Sequence, residues 1–413
     1  MSSPKALHLV SGSGNFSSHS PHIVVGVTSA QHCLALKGRL RAMREAGFRV
    51  TLVSRPGGLL EIAARDEDAE VAEVPMEREL APFRDMVSLF RLWRLLRRLR
   101  PDATEFSTPK AGMLGTFAAK LVGVPRRVYL LRGLKVETAT GFRRLVLLES
   151  ERWAMACAHV VICNSASLRA KVLELGLAPA AKLRVLGDGS TRGVDLDRFA
   201  PGPDEMRSRL DIPPAAPVVG FVGKLTRDKG LPELIDAFDR ILMKEPLARL
   251  LLVGWFDVAQ DGVDERLRLR IQNHPSIIST GFVADAAPYY RAMDLLVLPT
   301  RREGFPNVAL EAAATGVPVI TTRTTGARDS IVPGVTGVLI PPGSADEISK
   351  AVLKLLRDPQ RSHMGEAART WVTGRFEKGR VLGLTVAFYL NLLKPRENEN
   401  PGRVVMDSAE RSA

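Results

Sequence analysis

The chain has 413 residues, 45% of them hydrophobic and 25% charged, with a formal charge of +13. That length suits two or three domains with cores of their own, and the apolar fraction is too high for a wholly disordered chain. No stretch reaches the roughly 18 uninterrupted apolar residues of a membrane-spanning helix.

Short β-branched or apolar runs bounded by Gly, Pro or Asp alternate with longer segments of helical spacing, which is the pattern of α/β domains with parallel sheets. In the first half, strands are predicted over 6–10, 49–54, 69–74, 103–106, 127–131, 159–164 and 183–186, with helices notably over 30–46, 83–99 and 111–121. Residues 1–15 carry one lysine and a short apolar patch without a cleavage site, so a cytoplasmic protein is expected. Pro201-Gly202-Pro203, a charged stretch and Pro213-Pro214-Ala215-Ala216-Pro217 read as a linker. Strands follow over 218–222, 249–253, 277–280, 295–298, 319–321 and 337–340, then helices over 345–356, 363–373 and 380–393. The expected division is 1–200 and 201–375 as two domains, 376–395 as a helix crossing back to the first, and 396–413 as a disordered tail.

Basic residues gather in the first half, for example Arg91, Arg94, Arg97, Arg98 and Arg100, with no run of aromatic stacking platforms among them. An excess of this kind suits nucleic acid, an anionic membrane surface or a polyanionic small substrate. The segment 83–99 sets Met86, Leu89, Phe90, Trp93 and Leu96 on one side and Arg84, Arg91, Arg94 and Arg98 on another. Such a helix either packs on a sheet with its arginines solvated or lies on an anionic leaflet, and 30–46 has a similar basic face. Cys33, Cys157 and Cys163 lack metal-ligand spacing and read as core residues of a reducing compartment. His19 and His22 fall in a Ser-rich loop over 11–30 without a third ligand, so no zinc site is expected.

Two strings carry chemistry. Glu303-Gly304-Phe305-Pro306-Asn307-Val308-Ala309-Leu310-Glu311 places two glutamates eight positions apart, after an apolar strand and leading into a helix over 308–314. Glu303 then lies past a strand's carboxyl end, where open α/β sheets bind ligands, and Asn307 and Val308 offer free backbone N–H groups that attract anions. Glu311, one turn inside, can accept two hydrogen bonds from a vicinal diol such as a ribose. The bland alternative is a solvated loop glutamate followed by an ordinary helix carboxylate. The second string, Gly223-Lys224-Leu225-Thr226-Arg227-Asp228-Lys229-Gly230, sets two lysines five apart at a strand-to-helix junction, where glycines allow close backbone approach and the ammonium groups can clamp a diphosphate. Its alternative is a surface turn with solvated lysines.

Together with Gly281-Phe282-Val283 ahead of Tyr289-Tyr290-Arg291-Ala292-Met293-Asp294, these strings resemble the donor site of retaining family 4 glycosyltransferases of GT-B architecture. Thr108-Pro109-Lys110-Ala111-Gly112, Arg132-Gly133-Leu134-Lys135-Val136-Glu137 and the run over 187–195 are similar to a bacterial subgroup that builds capsule, exopolysaccharide or lipid-linked glycans. The resemblance spans residues 5–395 and implies two Rossmann-like doubly wound α/β domains with an interdomain cleft, the first on the acceptor side and the second holding the donor. It implies a UDP-sugar donor, a glycan or polyprenyl-diphosphate-linked acceptor, peripheral contact with an anionic membrane, no nucleic acid and no cofactor. By the same resemblance Lys224 and Lys229, beside Gly223, hold the donor diphosphate and Glu311 the ribose. Glu303, with the Gly304 and Phe305 backbone, faces the transferred sugar, the backbone around Phe282 and Val283 meets the base, and Lys110 and Arg132 lie on the acceptor side.

Two departures stand out. Gly254-Trp255-Phe256-Asp257 replaces the family's Gly-x-Gly-Pro turn, and Arg132 stands where many members carry a histidine. Arginine is no general base, so contact with phosphate or sugar is expected of it. The mechanism implied is retention without a protein nucleophile, the leaving diphosphate's oxygen taking the acceptor's proton, with no metal. Asp66-Glu67-Asp68, in an acidic surface run, and Asp195-Leu196-Asp197 read as structural rather than metal-binding. A nucleotide-sugar epimerase on the same fold would need an additional acid and base pair, and a non-catalytic nucleic-acid module predicts steep salt dependence instead.

Overall fold

The computed structural model describes residues 20–33, 36–77, 81–257 and 262–394; the expected strand over 6–10 and tail over 396–413 lie outside them. The first half runs β1 (His22–Gly26), α1 (Ala30–Cys33), α2 (Arg39–Glu45), β2 (Arg49–Ser54), α3 (Gly58–Asp66), β3 (Glu70–Glu73), α4 (Pro82–Leu99), β4 (Ala103–Ser107), α5 (Pro109–Val122), β5 (Arg126–Leu131), α6 (Gly141–Cys157), β6 (Val160–Cys163), α7 (Ala166–Glu174) and β7 (Leu183–Arg184). The second runs α8 (Glu205–Arg209), β8 (Val218–Val222), α9 (Leu231–Leu242), β9 (Arg249–Val253), α10 (Glu265–Asn273), β10 (Ile277–Ser279), α11 (Ala287–Arg291), β11 (Leu295–Leu298), α12 (Asn307–Ala314), β12 (Val319–Thr322), β13 (Gly337–Ile340), α13 (Ala345–Leu356), α14 (Arg361–Phe376) and α15 (Lys378–Leu393).

All strand pairs are parallel, in the orders β3-β2-β1-β4-β5-β6-β7 and β10-β9-β8-β11-β12-β13. Each order reverses once, between β1 and β4 and between β8 and β11. Such switch points open crevices at the strands' carboxyl ends. Helices cover both faces, so central strands such as Val218–Val222 and Leu295–Leu298 are buried throughout and read as unbroken apolar runs. In the first sheet Ile23, Val25 and Leu130 pack with Leu40, Met43 and Tyr389, while the alternate residues Val24 and Phe106 face Leu92, Leu96 and Leu114. The helix α15 packs against α2, and its Tyr389 hydroxyl donates to the buried Glu105, which also pairs with the buried Arg39. Cys33, Cys157 and Cys163 are buried free thiols.

Four expectations change. The loop expected over 11–30 contains β1, so His22 is a buried strand residue whose ring bonds Thr51 at 2.8 Å. The helix expected over 30–46 does not run through. Gly38 takes the left-handed conformation with φ 82°, and a separate α2 starts after it. Glu67 is not on the surface: it is buried and accepts the Gly38, Leu40 and Arg41 backbone N–H groups at 2.6, 3.1 and 3.1 Å, capping the start of α2. In the basic face of that segment Arg39 pairs with Glu105, Arg44 with Asp68 and Arg41 with the Asp66 carbonyl, while Lys37 stays exposed. Finally, α4 is rotated from the expected phase. It buries Asp85, Ser88, Leu92 and Leu96 and leaves Phe83, Met86, Val87 and Phe90 exposed.

Candidate functional site

The two switch points face each other across a cavity of about 400 Å³. It is lined from the first domain by Thr28, Thr108, Lys110 and the loop over 132–135, and from the second by Lys224, Lys229, Asp257 and Glu303. Each comes from a loop at the carboxyl end of β1, β4, β5, β8, β9 or β11, or, for Lys110, from the first turn of the helix that follows β4, so the parallel topology itself gathers them. Backbones meet closely at the base of the cavity. A Cβ on Gly304 would lie 1.9 Å from the Arg132 carbonyl oxygen, so only glycine permits this approach of the two domains.

The lysines are held by carboxylates. Lys224 donates to Asp257 at 2.8 Å and lies 5.8 Å from the Trp255 ring centroid; Lys229 pairs with Glu303. Gly230, with φ 72°, packs its Cα against the Pro299 carbonyl, where a Cβ would come within 2.1 Å, and so fixes the turn that aims Lys229 at Glu303. Arg302, next to Glu303, pairs with Asp228. On the opposite wall Lys110 is buried and paired with Asp85 of α4. Arg132 differs from these cations: its Nη1 is buried and has no hydrogen-bond partner. Burial, then the neighbouring charges of Arg192 and Arg39, pulls its pKa down to about 10. A guanidinium in that position is stabilised by an arriving anion, because desolvation has already weakened its competing interaction with water. Thr108, at φ 74°, bonds Thr28 through their hydroxyls at 2.6 Å, a strained non-glycine conformation at the mouth of the site.

Lys224, Lys229 and Glu303 thus line one cavity, together with Gly304, Lys110 and Arg132, but Glu311 is not among the lining residues. Glu311 is buried in α12, accepting from Arg192 at 2.8 Å on one oxygen and from the Tyr290 hydroxyl at 2.9 Å on the other. Asn307 likewise turns to the loop over 190–193, accepting from Ser190 Oγ at 3.0 Å and donating to the Gly193 carbonyl at 3.1 Å. Phe305 is buried against Phe376, and Val308 packs into the second domain's core. The 303–311 string therefore serves two places: its first two residues face the cavity, and its helix latches onto the first half of the chain. Gly223 adopts φ 144° beside Gly254. Phe282 is exposed, edge-on to Trp255 with centroids 5.4 Å apart, and Val283 packs against the core. Sequence reasoning assigned no role to Asp257, Arg192, Tyr290 and Thr108. All four lie inside the quoted strings, and the signal available for Asp257 was the departure at 254–257 itself.

Residues 37–189 match the family described as "Glycosyl transferase 4-like domain", and residues 216–358 match "Glycosyl transferases group 1". The capsular polysaccharide biosynthesis glycosyltransferase CapM of Staphylococcus aureus is 34% identical over 376 residues, covering 90% of this chain and 98% of CapM. A GDP-mannose-dependent alpha-mannosyltransferase of Mycobacterium tuberculosis is 31% identical over 70% of this chain and 73% of its own. The fold is shared with Anabaena HepE, solved in complex with UDP, at a TM-score of 0.73 and 21% identity over 90% of this chain and 100% of HepE. With two facing Rossmann-like sheets and both halves matched, the chain belongs to the group 1, family 4-like glycosyltransferases of GT-B architecture.

Proposed function

We propose that the protein transfers a sugar from a UDP-sugar to a glycan or polyprenyl-diphosphate-linked acceptor in surface polysaccharide synthesis, with retention of anomeric configuration. The observation that carries this reading is the cleft chemistry: Lys224 and Lys229 from one sheet face Arg132, whose Nη1 is unpartnered, from the other. Asp257 and Glu303 hold the ammonium groups in place. A diphosphate competes for them with more charge and more acceptor oxygens than either carboxylate. As the glycosidic bond to phosphate breaks, those cations stabilise the developing charge without reorganising, and the leaving oxygen takes the acceptor hydroxyl's proton on the face it has just vacated. Glu303 and the Gly304 backbone then address the transferred sugar, the Phe282 and Val283 backbone the base, and Glu311 the ribose. Tyr290 and Arg192 orient the Glu311 carboxylate, whose oxygens each keep further acceptor capacity.

Docking on an anionic membrane belongs to the same proposal and rests on the layer α4–α5–α6. Phe83, Met86, Val87 and Phe90 of α4 and Phe142, Leu145 and Trp153 of α6 are exposed, alongside Arg91, Arg94 and Arg98. Lys110 of the cleft pairs with Asp85 of α4, which supports a membrane-facing helix close to the proposed acceptor side. The reading is tested by incubating the purified protein with UDP- and GDP-sugars and a polyprenyl-diphosphate-linked sugar, then determining product anomers by NMR. A UDP-sugar consumed to give a product with the donor's anomeric configuration is expected. An inverted product overturns retention, and turnover with GDP-sugars alone overturns the choice of base.

A further inference from the structure

A second cavity, of about 430 Å³, lies beside the first and is also built by both domains. It flanks the other side of the segment that carries Glu303: Arg301 lines this one and Arg302 the donor cavity. Its charge is strongly one-sided. Lys171 is neutralised by Glu174 and Arg301 by Glu233, but Arg144 from α6 and Arg323 and Arg328 from the loop after β12 have no side-chain partner among the described residues. Glu137 lines the same cavity. One of its oxygens accepts from Thr325; the other, Oε2, is buried without a hydrogen-bond partner. Three unpaired guanidinium groups ask for an anionic substituent, and a buried orphan acceptor asks for a donor such as a hydroxyl. One ligand meeting both demands carries an acid and neighbouring hydroxyls.

We propose that this cavity holds an acidic sugar unit of the acceptor glycan, its carboxylate on Arg144, Arg323 and Arg328 and a ring hydroxyl donating to Glu137. The assignment rests on the glycan-acceptor reading above and specifies it. The cavity is built across the domain junction, where Gly326 N–H donates to Ser167 Oγ at 2.7 Å, Ser167 N–H to Asp329 at 2.8 Å, and Thr325 to Glu137, so it exists only while the domains are docked. An occupant therefore favours the closed arrangement and, by linkage, tightens nucleotide binding in the neighbouring cavity.

The test measures binding of D-glucuronate, D-glucose and inorganic phosphate to the full chain by calorimetry, with and without saturating UDP. Glucuronate is expected to bind about tenfold tighter than either comparator. That advantage should vanish in the Arg323→Gln/Arg328→Gln double variant and in Arg144→Gln, whose exposed side chains make no hydrogen bond or ion pair among the described residues. Glucuronate binding no tighter than phosphate, or equal in wild type and both variants, overturns the proposal. A uronate-terminated tetrasaccharide should bind at least as tightly as the free acid; its exclusion while the free acid binds overturns the assignment to a glycan chain. UDP affinity separates the two readings: UDP bound without glucuronate sinks this inference alone, whereas binding of neither sinks the UDP-sugar reading beneath it.

Discussion

At the scale of single residues, the buried cations differ in whether a carboxylate meets them. Arg39 is ion-paired with Glu105, which also accepts from Tyr389, although Arg39 Nε and Glu105 Oε1 have no hydrogen-bond partner, and Glu311 is held by Arg192 and Tyr290. Arg132, at the cleft, has no ion-pair partner among the described residues, and its Nη1 is a buried donor without an acceptor. Glu151 of α6 offers a clean measurement of burial. It is buried beneath the Tyr129 hydroxyl at 2.8 Å, and desolvation pushes its pKa up to about 7, against 4.5 for an ordinary glutamate. An acid with a raised folded pKa binds more protons folded than unfolded between those values, so stability falls as pH rises from about 4.5 to about 7 and is flat beyond. Within that window the Glu151 carboxyl contributes a loss on the order of 1 kcal/mol per pH unit. Glu151→Gln should abolish this slope in urea titrations across the window. Parallel profiles for variant and wild type would show that the carboxyl ionises freely in the folded protein.

At the scale of elements, strands were legible and helix orientation was not. The ranges expected for β8, β9 and β11 coincide with those observed, because a strand buried on both faces writes itself as an uninterrupted apolar run. The break before α2 depends on Glu67, 29 positions beyond Gly38, and no local pattern reveals it. Rotation of α4 escaped for another reason: its apolar residues cover more than one face, and the sheet took the stripe holding Leu92 and Leu96. Most site residues were readable because strand-to-helix loops in parallel sheets have a fixed destination. Glu311 was readable as a helix carboxylate, but its turn toward Arg192 depends on a partner 119 positions away. The surplus apolar face of α4 yields an expectation of its own. Phe83→Ser/Phe90→Ser should reduce co-sedimentation with anionic vesicles by about tenfold or more while leaving the melting temperature unchanged, since each exposed aromatic transferred from water contributes roughly 1.5–3 kcal/mol. Equal sedimentation of variant and wild type would exclude membrane docking through this face.

At the scale of the whole molecule, two sheets wound in the same sense of strand order face each other across the cleft, and the proposed transfer depends on how closely they approach. Gly304 sets that distance, since any side chain there strikes the Arg132 backbone. Gly304→Ala should leave both domains folded by circular dichroism, increase the radius of gyration in solution scattering and lower transfer about a hundredfold, the loss typical of a reacting centre displaced by an ångström. A variant as active and compact as wild type would mean that the closed approach is not the working one. The central claim is that cations from both sheets converge on one nucleoside diphosphate. Calorimetric titration of UDP into wild type, Lys229→Gln and Arg132→Met tests it most directly. Micromolar-range binding that weakens about tenfold or more in each variant is predicted, since each substitution removes a charge-assisted contact worth roughly 1.5–3 kcal/mol. Affinity unchanged by both substitutions would contradict it.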